Sequence, residues 1–296
     1  MLKKTLFFTQ PADLKVHNGQ ILIRSNNSES IVSPEDVGVV VFENPQICFS
    51  HSVINRFVSE NVAVIFCDSN HLPQSLLYPL NSHSSLHLIT SFQLKASEVL
   101  KKNLWKQTIS AKIHNQAMLL KKLNLPFVDL MELAKNITAG DKDNKEAYAA
   151  RIYWKRLFAH IDNFTREREG VPPNNALNYG YTILRALVAR ALSASGLLPV
   201  LGIHHKNRNN AFCLADDIME PFRVFVDEIV YAISLNFFDN FFLTKEIKVE
   251  LLKVMTVDTF YDNVIRPLSV GVSITTASLA KCFAGEQRKI AYPYFK

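Results

Sequence analysis

The spacing of the apolar residues changes once along this chain, near residue 90, and that change limits the folds open to it more than any other feature. Up to about Tyr78 the apolar residues come in short runs: LFF at 6–8, LKV and QILI on either side of His17-Asn18-Gly19, GVVVF at 38–42 and VAVIF at 62–66. Such runs, broken by turn residues, read as strands, and Asn-Gly between two of them reads as a tight hairpin. Between the last two runs, Ser50–Ser59 has helical spacing, with Val53, Ile54, Phe57 and Val58 on one side and Ser50 or Ser52 placed to cap. The front is thus expected to be a small β-rich domain with one helix, mostly antiparallel on the strength of the hairpin.

From Ser69 to Ser91 the chain is rich in Ser, Pro, Asn and His and its apolar periodicity lapses, so a linker is expected there. His71, His83 and His87 fall within it at no metal-binding spacing and are read as surface residues. After Phe92 the period becomes 3.6. Helices are expected over 92–125, from Pro126 to about Asn136, over 144–168, over 176–195 with Asn174 or Asn175 as cap, from about Asp216 to Phe242, over 245–254 and over 269–282. The fold class is α+β: residues 1–88 form a β-rich domain and residues 89–296 an all-α one.

The chain carries a formal net charge of +6, and its lysines are unevenly placed. Lys95, Lys101, Lys102, Lys106, Lys112, Lys121 and Lys122 mark one long helical stretch as either a solvated face or a track for phosphates. Cys48, Cys67, Cys213 and Cys282 show no CxxC spacing, which argues against a zinc ribbon and for a reducing compartment. The apolar run of MLKKTLFFTQP is too short for a signal peptide, and no stretch approaches the ~20 apolar residues of a membrane span. The expected location is the cytoplasm.

Chemistry concentrates in two places. The stretch from Gly202 to Arg223 brings His204 and His205, then Asp216, Asp217 and Glu220 at the start of a helix. Asp217 and Glu220 are three positions apart, so their carboxylates share a face, while Ile218, Phe222, Phe225, Ile229 and Ile233 form an apolar stripe pointing away. The acids are therefore expected outside the core, and capping accounts for them as well as metal binding does. Glu146 is different. It lies in line with Ala150, Tyr153, Leu157, Ile161 and Phe164, and a carboxylate among apolar neighbours needs a proton, a counter-charge or a cation. Arg151 or Arg185 is available to pair with it. Glu146, one of the two histidines and Glu220, with or without Asp217, would make an oxygen and nitrogen donor set suited to Mg²⁺ or Mn²⁺. A basic helical ridge beside such an ion suits phosphodiester chemistry.

Four strings, in this order, resemble one family: KIHNQ at 112–116, NKEAYAARIYW around Glu146, NALNYGYTILRA at 175–186, and LGIHH with LADDIMEPFR within 201–223. The chain is similar over essentially its whole length to the CRISPR-associated adaptation integrases, and the MEPFR ending looks like the type II subgroup. The resemblance implies that Glu146, His205 and Glu220 are the catalytic metal ligands, with Asp217 a further acid of less uniform role. Arg223 would orient Glu220, touch phosphate or make a simple surface ion pair, and Lys101, Lys106 and Lys112 would face DNA. It further implies a homodimer formed partly through the β-rich domain, bridged by the small second adaptation protein, and possible contact with other type II components. The reaction implied is transesterification, in which the 3′-hydroxyls of a prespacer duplex attack double-stranded DNA at the CRISPR repeat. Hydrolysis of branched or single-stranded DNA, and a non-catalytic DNA-binding scaffold, are the competing readings.

Overall fold

Asn18 and Gly19 take φ of 48° and 76°, the backbone a two-residue hairpin needs, and His17 pairs with Gln20 across the turn. The computed structural model describes residues 4–25, 28–77, 84–167, 169–235, 242–262 and 264–296. Two compact units divide the chain, Met1–Ser84 and Ser85–Lys296. Strands of the first are β1 (Lys4–Phe8), β2 (Ala12–His17), β3 (Gln20–Ser25), β4 (Ser28–Val32), β5 (Val37–Phe42), β6 (Ile47–Phe49), β7 (Ala63–Cys67) and β8 (Pro73–Leu77), with helix α1 (His51–Ser59) before β7.

These strands form two sheets. One, in the order β4-β3-β2-β6, is antiparallel except where β2 meets β6. The other, β1-β5-β7-β8, is parallel through β1, β5 and β7, and only β8 runs the other way. The antiparallel expectation therefore fails for the most apolar strands. Every residue of β5 is buried, and an apolar run without alternation belongs to a strand covered on both faces, the usual setting of parallel pairing. The connection to β7 contains α1, whose Val53 and Phe57 enter the core beside Ile21, Val40 and Val64. Part of the expected linker is ordered structure, since 73–77 add to the sheet as β8. His71 and His87 are exposed, and His83 lies outside the described residues.

The second unit is built from α2 (Leu86–Lys95), α3 (Glu98–Lys122), α4 (Val128–Lys135), α5 (Lys145–Leu157), α6 (Asn174–Ala194), α7 (Cys213–Met219), α8 (Arg223–Ser234), α9 (Lys245–Leu252) and α10 (Leu268–Ala284). A hairpin of β9 (Asp258–Tyr261) and β10 (Val264–Pro267) interrupts what was expected to be all helix. Ser97 splits the expected helix over 92–125, because its hydroxyl accepts from the Leu100 amide at 3.2 Å and starts α3 afresh. Asn174 does not cap α6. Pro173 holds that position, and the buried Asn174 side chain instead donates to the carbonyls of Thr165 and Val171 and accepts from Arg166. The expected continuation of α8 toward Phe242 falls largely on residues outside those described.

Buried along most of its length, α6 is the centre of this unit. At Gly180 it meets α8 so closely that a Cβ would sit 2.4 Å from Val226 Cγ1. Gly180→Ala gains up to ~1 kcal/mol of helix propensity, but overpacking costs about 1–3 kcal/mol. A net loss of stability is expected in urea unfolding, and an unchanged or raised midpoint would show that the two helices separate freely there.

Candidate functional site

Three pieces of backbone converge on one point of the helical unit: the middle of α3, the first turn of α5, and a 3₁₀ turn at Glu220–Phe222. Pro221 creates that turn, because it has no N–H to continue the helical ladder, and so it breaks α7 from α8. Asn115 of α3 locks the turn, its Nδ2 donating to the carbonyls of Pro221 at 2.9 Å and Pro293 at 3.1 Å while its Oδ1 accepts from the Phe295 amide. On the other side, the Asp141 carboxylate accepts from the amides of Lys145 at 3.0 Å and Glu146 at 2.9 Å, fixing the start of α5. The backbone around each acid is thereby held before any side chain is considered.

At the point of convergence sits Lys112. Its Nζ donates to Glu146 Oε1 at 2.6 Å and lies 2.7 Å from Glu220 Oε2. Arg223 Nε donates to the other Glu220 oxygen, Oε1, at 2.9 Å, and its guanidinium stacks over the Tyr181 ring at 4.4 Å. Both oxygens of the buried Glu220 carboxylate are thus matched by cations, Oε1 by Arg223 and Oε2 by Lys112. Burial pushes the Glu220 carboxyl up, but Arg223 and Lys112 more than offset this and hold it at about 2. For Lys112 the ammonium is disfavoured by burial and restored above its ordinary value by Glu220 and Glu146.

This overturns two expectations. Lys112 is not on a DNA-facing ridge, since only 11% of its side chain is exposed. The partner of Glu146 is neither Arg151, which is exposed, nor Arg185, whose Nε donates to Asp216 at 2.6 Å. The signal was present in the sequence: Lys112 follows Trp105 and Thr108 at helical spacing and precedes Gln116, all buried, which places it on the inward stripe of α3. Of the other two lysines, Lys106 is exposed, and Lys101 is half-buried with its Nζ 3.6 Å from Glu98.

The acids downstream are core residues after all: Asp216, Asp217 and Glu220 are 7%, 0% and 6% exposed. A carboxylate tolerates such burial only with charge or hydrogen-bond partners, and each has them. Asp216 takes Arg185 and Asn210. Asp217 does not face with Glu220. It accepts from the amides of Ile203 at 2.7 Å, His204 at 2.9 Å and His205 at 3.2 Å, and from His205 Nδ1 at 2.5 Å. Gly202 makes this possible, for a Cβ there would lie 2.4 Å from the His205 carbonyl and 2.9 Å from Asp217 Oδ2.

The two histidines have separate surroundings. His204 stacks on the Trp105 ring at 4.1 Å. His205 is bound to Asp217 through Nδ1, and that hydrogen bond raises its pKa, opposed by partial burial and aided by the charges of Asp217, Glu220 and Asp216. A carboxylate on one ring nitrogen fixes the tautomer and orientation that leave the other nitrogen as a ligand. Glu146 and Glu220 thus meet around one cation, while His205 is held separately, by Asp217. Among the described residues no three His, Cys, Asp or Glu side chains are grouped tightly enough to enclose a metal ion. The carboxylate pair fits a hard divalent cation nonetheless: one oxygen of each, Glu146 Oε1 and Glu220 Oε2, already flanks a single positive charge.

A 150 Å³ cavity opens beside this cluster, lined in part by Lys112, Gln116, Tyr181, Glu220, Arg223 and Asp227. Asp227 accepts from the hydroxyls of Tyr153, at 2.8 Å, and Tyr181. Burial pushes its carboxyl up to about 6, with the two tyrosines and Arg223 acting the other way.

In fold, the chain is similar to a casposase solved bound to its integration product, with a TM-score of 0.78 at 19% identity over 98% of this chain and 93% of that one. It is equally similar to a Cas1 protein from Thermotoga maritima, with a TM-score of 0.77 at 16% identity over 97% and 99%. The architecture is therefore that of the Cas1-like proteins, a β-rich unit followed by a mostly helical one. The model of the CRISPR associated protein Cas1 family matches residues 6–253, and the chain belongs to that family. It is 34% identical over 257 residues to the CRISPR-associated endonuclease Cas1 of Neisseria meningitidis, covering 86% of this chain and 84% of the relative. No described helix is long and apolar enough to cross a membrane.

The Asp227 network has a pH signature. Its carboxyl is raised from 3.8 to about 6, so the folded state holds the proton more tightly. The stability this contributes is full below the unfolded pKa and is lost as pH rises through 6. Two pKa units correspond to about 3 kcal/mol. Asp227→Asn cannot titrate, so its unfolding free energy should gain on the wild type by up to ~3 kcal/mol between pH 4 and pH 7. A constant difference across that range would contradict the assignment.

Proposed function

We propose that this protein is a metal-dependent DNA endonuclease and integrase of CRISPR adaptation, which joins the 3′-hydroxyl ends of a prespacer duplex to the CRISPR repeat by transesterification. The observation that carries this reading is the carboxylate pair Glu146 and Glu220, drawn from separate elements around one cationic position.

In this reading Glu146 and Glu220, joined by His205, hold Mg²⁺ or Mn²⁺. When bound, the ion neutralises charge on the scissile phosphate and assists the attacking and departing oxygens. The chain's own residues prepare for this. Glu220 stays ionised at every working pH because Arg223 and Lys112 outweigh its burial. Arg223 fixes the plane of that carboxylate through Oε1, and Oε2, which now faces Lys112, is the oxygen that would be offered to the ion. Asp217 takes the Nδ1 proton of His205 into its hydrogen bond, which reserves the second ring nitrogen as a donor to the metal. Lys101 and Lys106 are the lysines on α3 proposed to face the DNA backbone.

Strand joining is favoured over simple hydrolysis by the similarity in fold to a casposase solved with an integration product. A partner of the second-adaptation-protein kind is supported by the similarity to a Cas6-RT-Cas1–Cas2 complex, at a TM-score of 0.74 and 18% identity. The relative from Neisseria meningitidis supports the type II subgroup. The homodimer is part of the same proposal.

The test is joining of a labelled prespacer to a supercoiled plasmid bearing a repeat, in the presence of the second adaptation protein and Mn²⁺. Glu146→Gln should lower the joined product at least ~100-fold, on the scale of losing a transition-state charge contact. Equal yields would remove the assigned site, and shortened strands without joined ones would make the enzyme a hydrolase.

A further inference from the structure

Lys112 and a shared divalent ion compete for one place. The ammonium is 2.6 Å from Glu146 Oε1 and 2.7 Å from Glu220 Oε2, whereas an ion bridging those carboxylates would stand about 2.0–2.2 Å from each oxygen. The two cations cannot stand together. We propose that Lys112 is a tethered counter-cation that preorganises the carboxylate pair in the metal-free protein and surrenders its position when the divalent ion enters. This inference rests on the metal reading above.

Two observations give the displaced ammonium a destination. The 150 Å³ cavity is lined by Lys112 itself and extends to Gln116 and Asp227, so the side chain swings into open volume rather than into packed core. Gln116 stands one helical turn along α3, and its Oε1 is buried without a hydrogen-bond partner. A buried acceptor left unpaired is costly, and a lysine amine arriving in the cavity would satisfy it. Lys112 is accordingly a positioning residue: it holds the ligands apart and ionised, and it acts on the reaction only through them.

Mn²⁺ affinity, read from the electron paramagnetic resonance signal of free Mn²⁺, separates this inference from the reading beneath it. Glu220→Gln should abolish binding. If Mn²⁺ binds that variant as it binds the wild type, the metal reading itself falls, and the Lys112 inference with it. If Glu220→Gln abolishes binding, Lys112→Met and Lys112→Gln decide the rest. Both should bind Mn²⁺ about tenfold or more tightly than the wild type, because no tethered cation has to leave. Both should also melt below the wild type in chelator and recover more of their melting temperature when Mn²⁺ is added. Unchanged or weaker Mn²⁺ affinity in both variants, with Glu220 still required, would overturn the role given to Lys112 and leave the metal site standing. Lys112→Gln keeps a polar group in place, so a failure of Lys112→Met to fold does not prevent the measurement.

Discussion

A charge buried in a protein must be matched where it lies, and the helical unit is arranged around one such match. Lys112, Glu146, Glu220 and Arg223 come from α3, the first turn of α5, the Glu220–Phe222 turn and the start of α8. Removing one member leaves an uncompensated charge, typically a loss of 3–5 kcal/mol, whereas the intact set contributes little net stability over apolar side chains. Stability alone therefore does not explain why the set is there. What it does provide is position: three segments distant in sequence are held in register at one point. Asn115 fixes the turn and Asp141 fixes α5.

Around that point the remaining polar residues divide the work. Asp217 organises the loop from Gly202 to His205 by collecting three amides, and the same carboxylate sets the ring of His205. Asp216 ties α7 to α6 through Arg185. Asp227 joins α8 to α5 and α6 through Tyr153 and Tyr181. The sequence places Asp216, Asp217, Glu220 and Asp227 within twelve positions, and the structure gives each a separate partner. That separation keeps neighbouring carboxylates from competing for the same cations.

Much of this was readable in the sequence, in proportion to how local the determining physics is. The Asn18-Gly19 hairpin, α1 and the change from strand to helical spacing depend on neighbours a few residues apart, and they are legible. The parallel core of β1, β5 and β7 is not, because pairing direction depends on the path of the connection; the strand-helix-strand alternation and the unbroken apolar run of β5 hinted at it, and the hairpin outweighed them. At the site, Glu146 stood out as a carboxylate among apolar residues. The outward placement of Asp216, Asp217 and Glu220 failed because every residue of α7 and of the turn after it is buried, so the face opposite the apolar stripe also looks into the protein. The inward turn of Lys112 was hidden by its membership of a lysine-rich stretch, although its spacing from Trp105, Thr108 and Gln116 marks it as belonging to the buried stripe.

The central claim is that Glu146 and Glu220 are built to hold a divalent ion together with His205. The most direct measurement is a crystal structure of the protein with Mn²⁺, with the ion located by its anomalous scattering. The account predicts one strong peak bounded by Glu146, Glu220 and the ring nitrogen of His205 that Asp217 does not hold, with the Lys112 amine displaced toward Gln116. A protein saturated with Mn²⁺ in which Lys112 still bridges the two carboxylates, and the ion lies elsewhere, would contradict it.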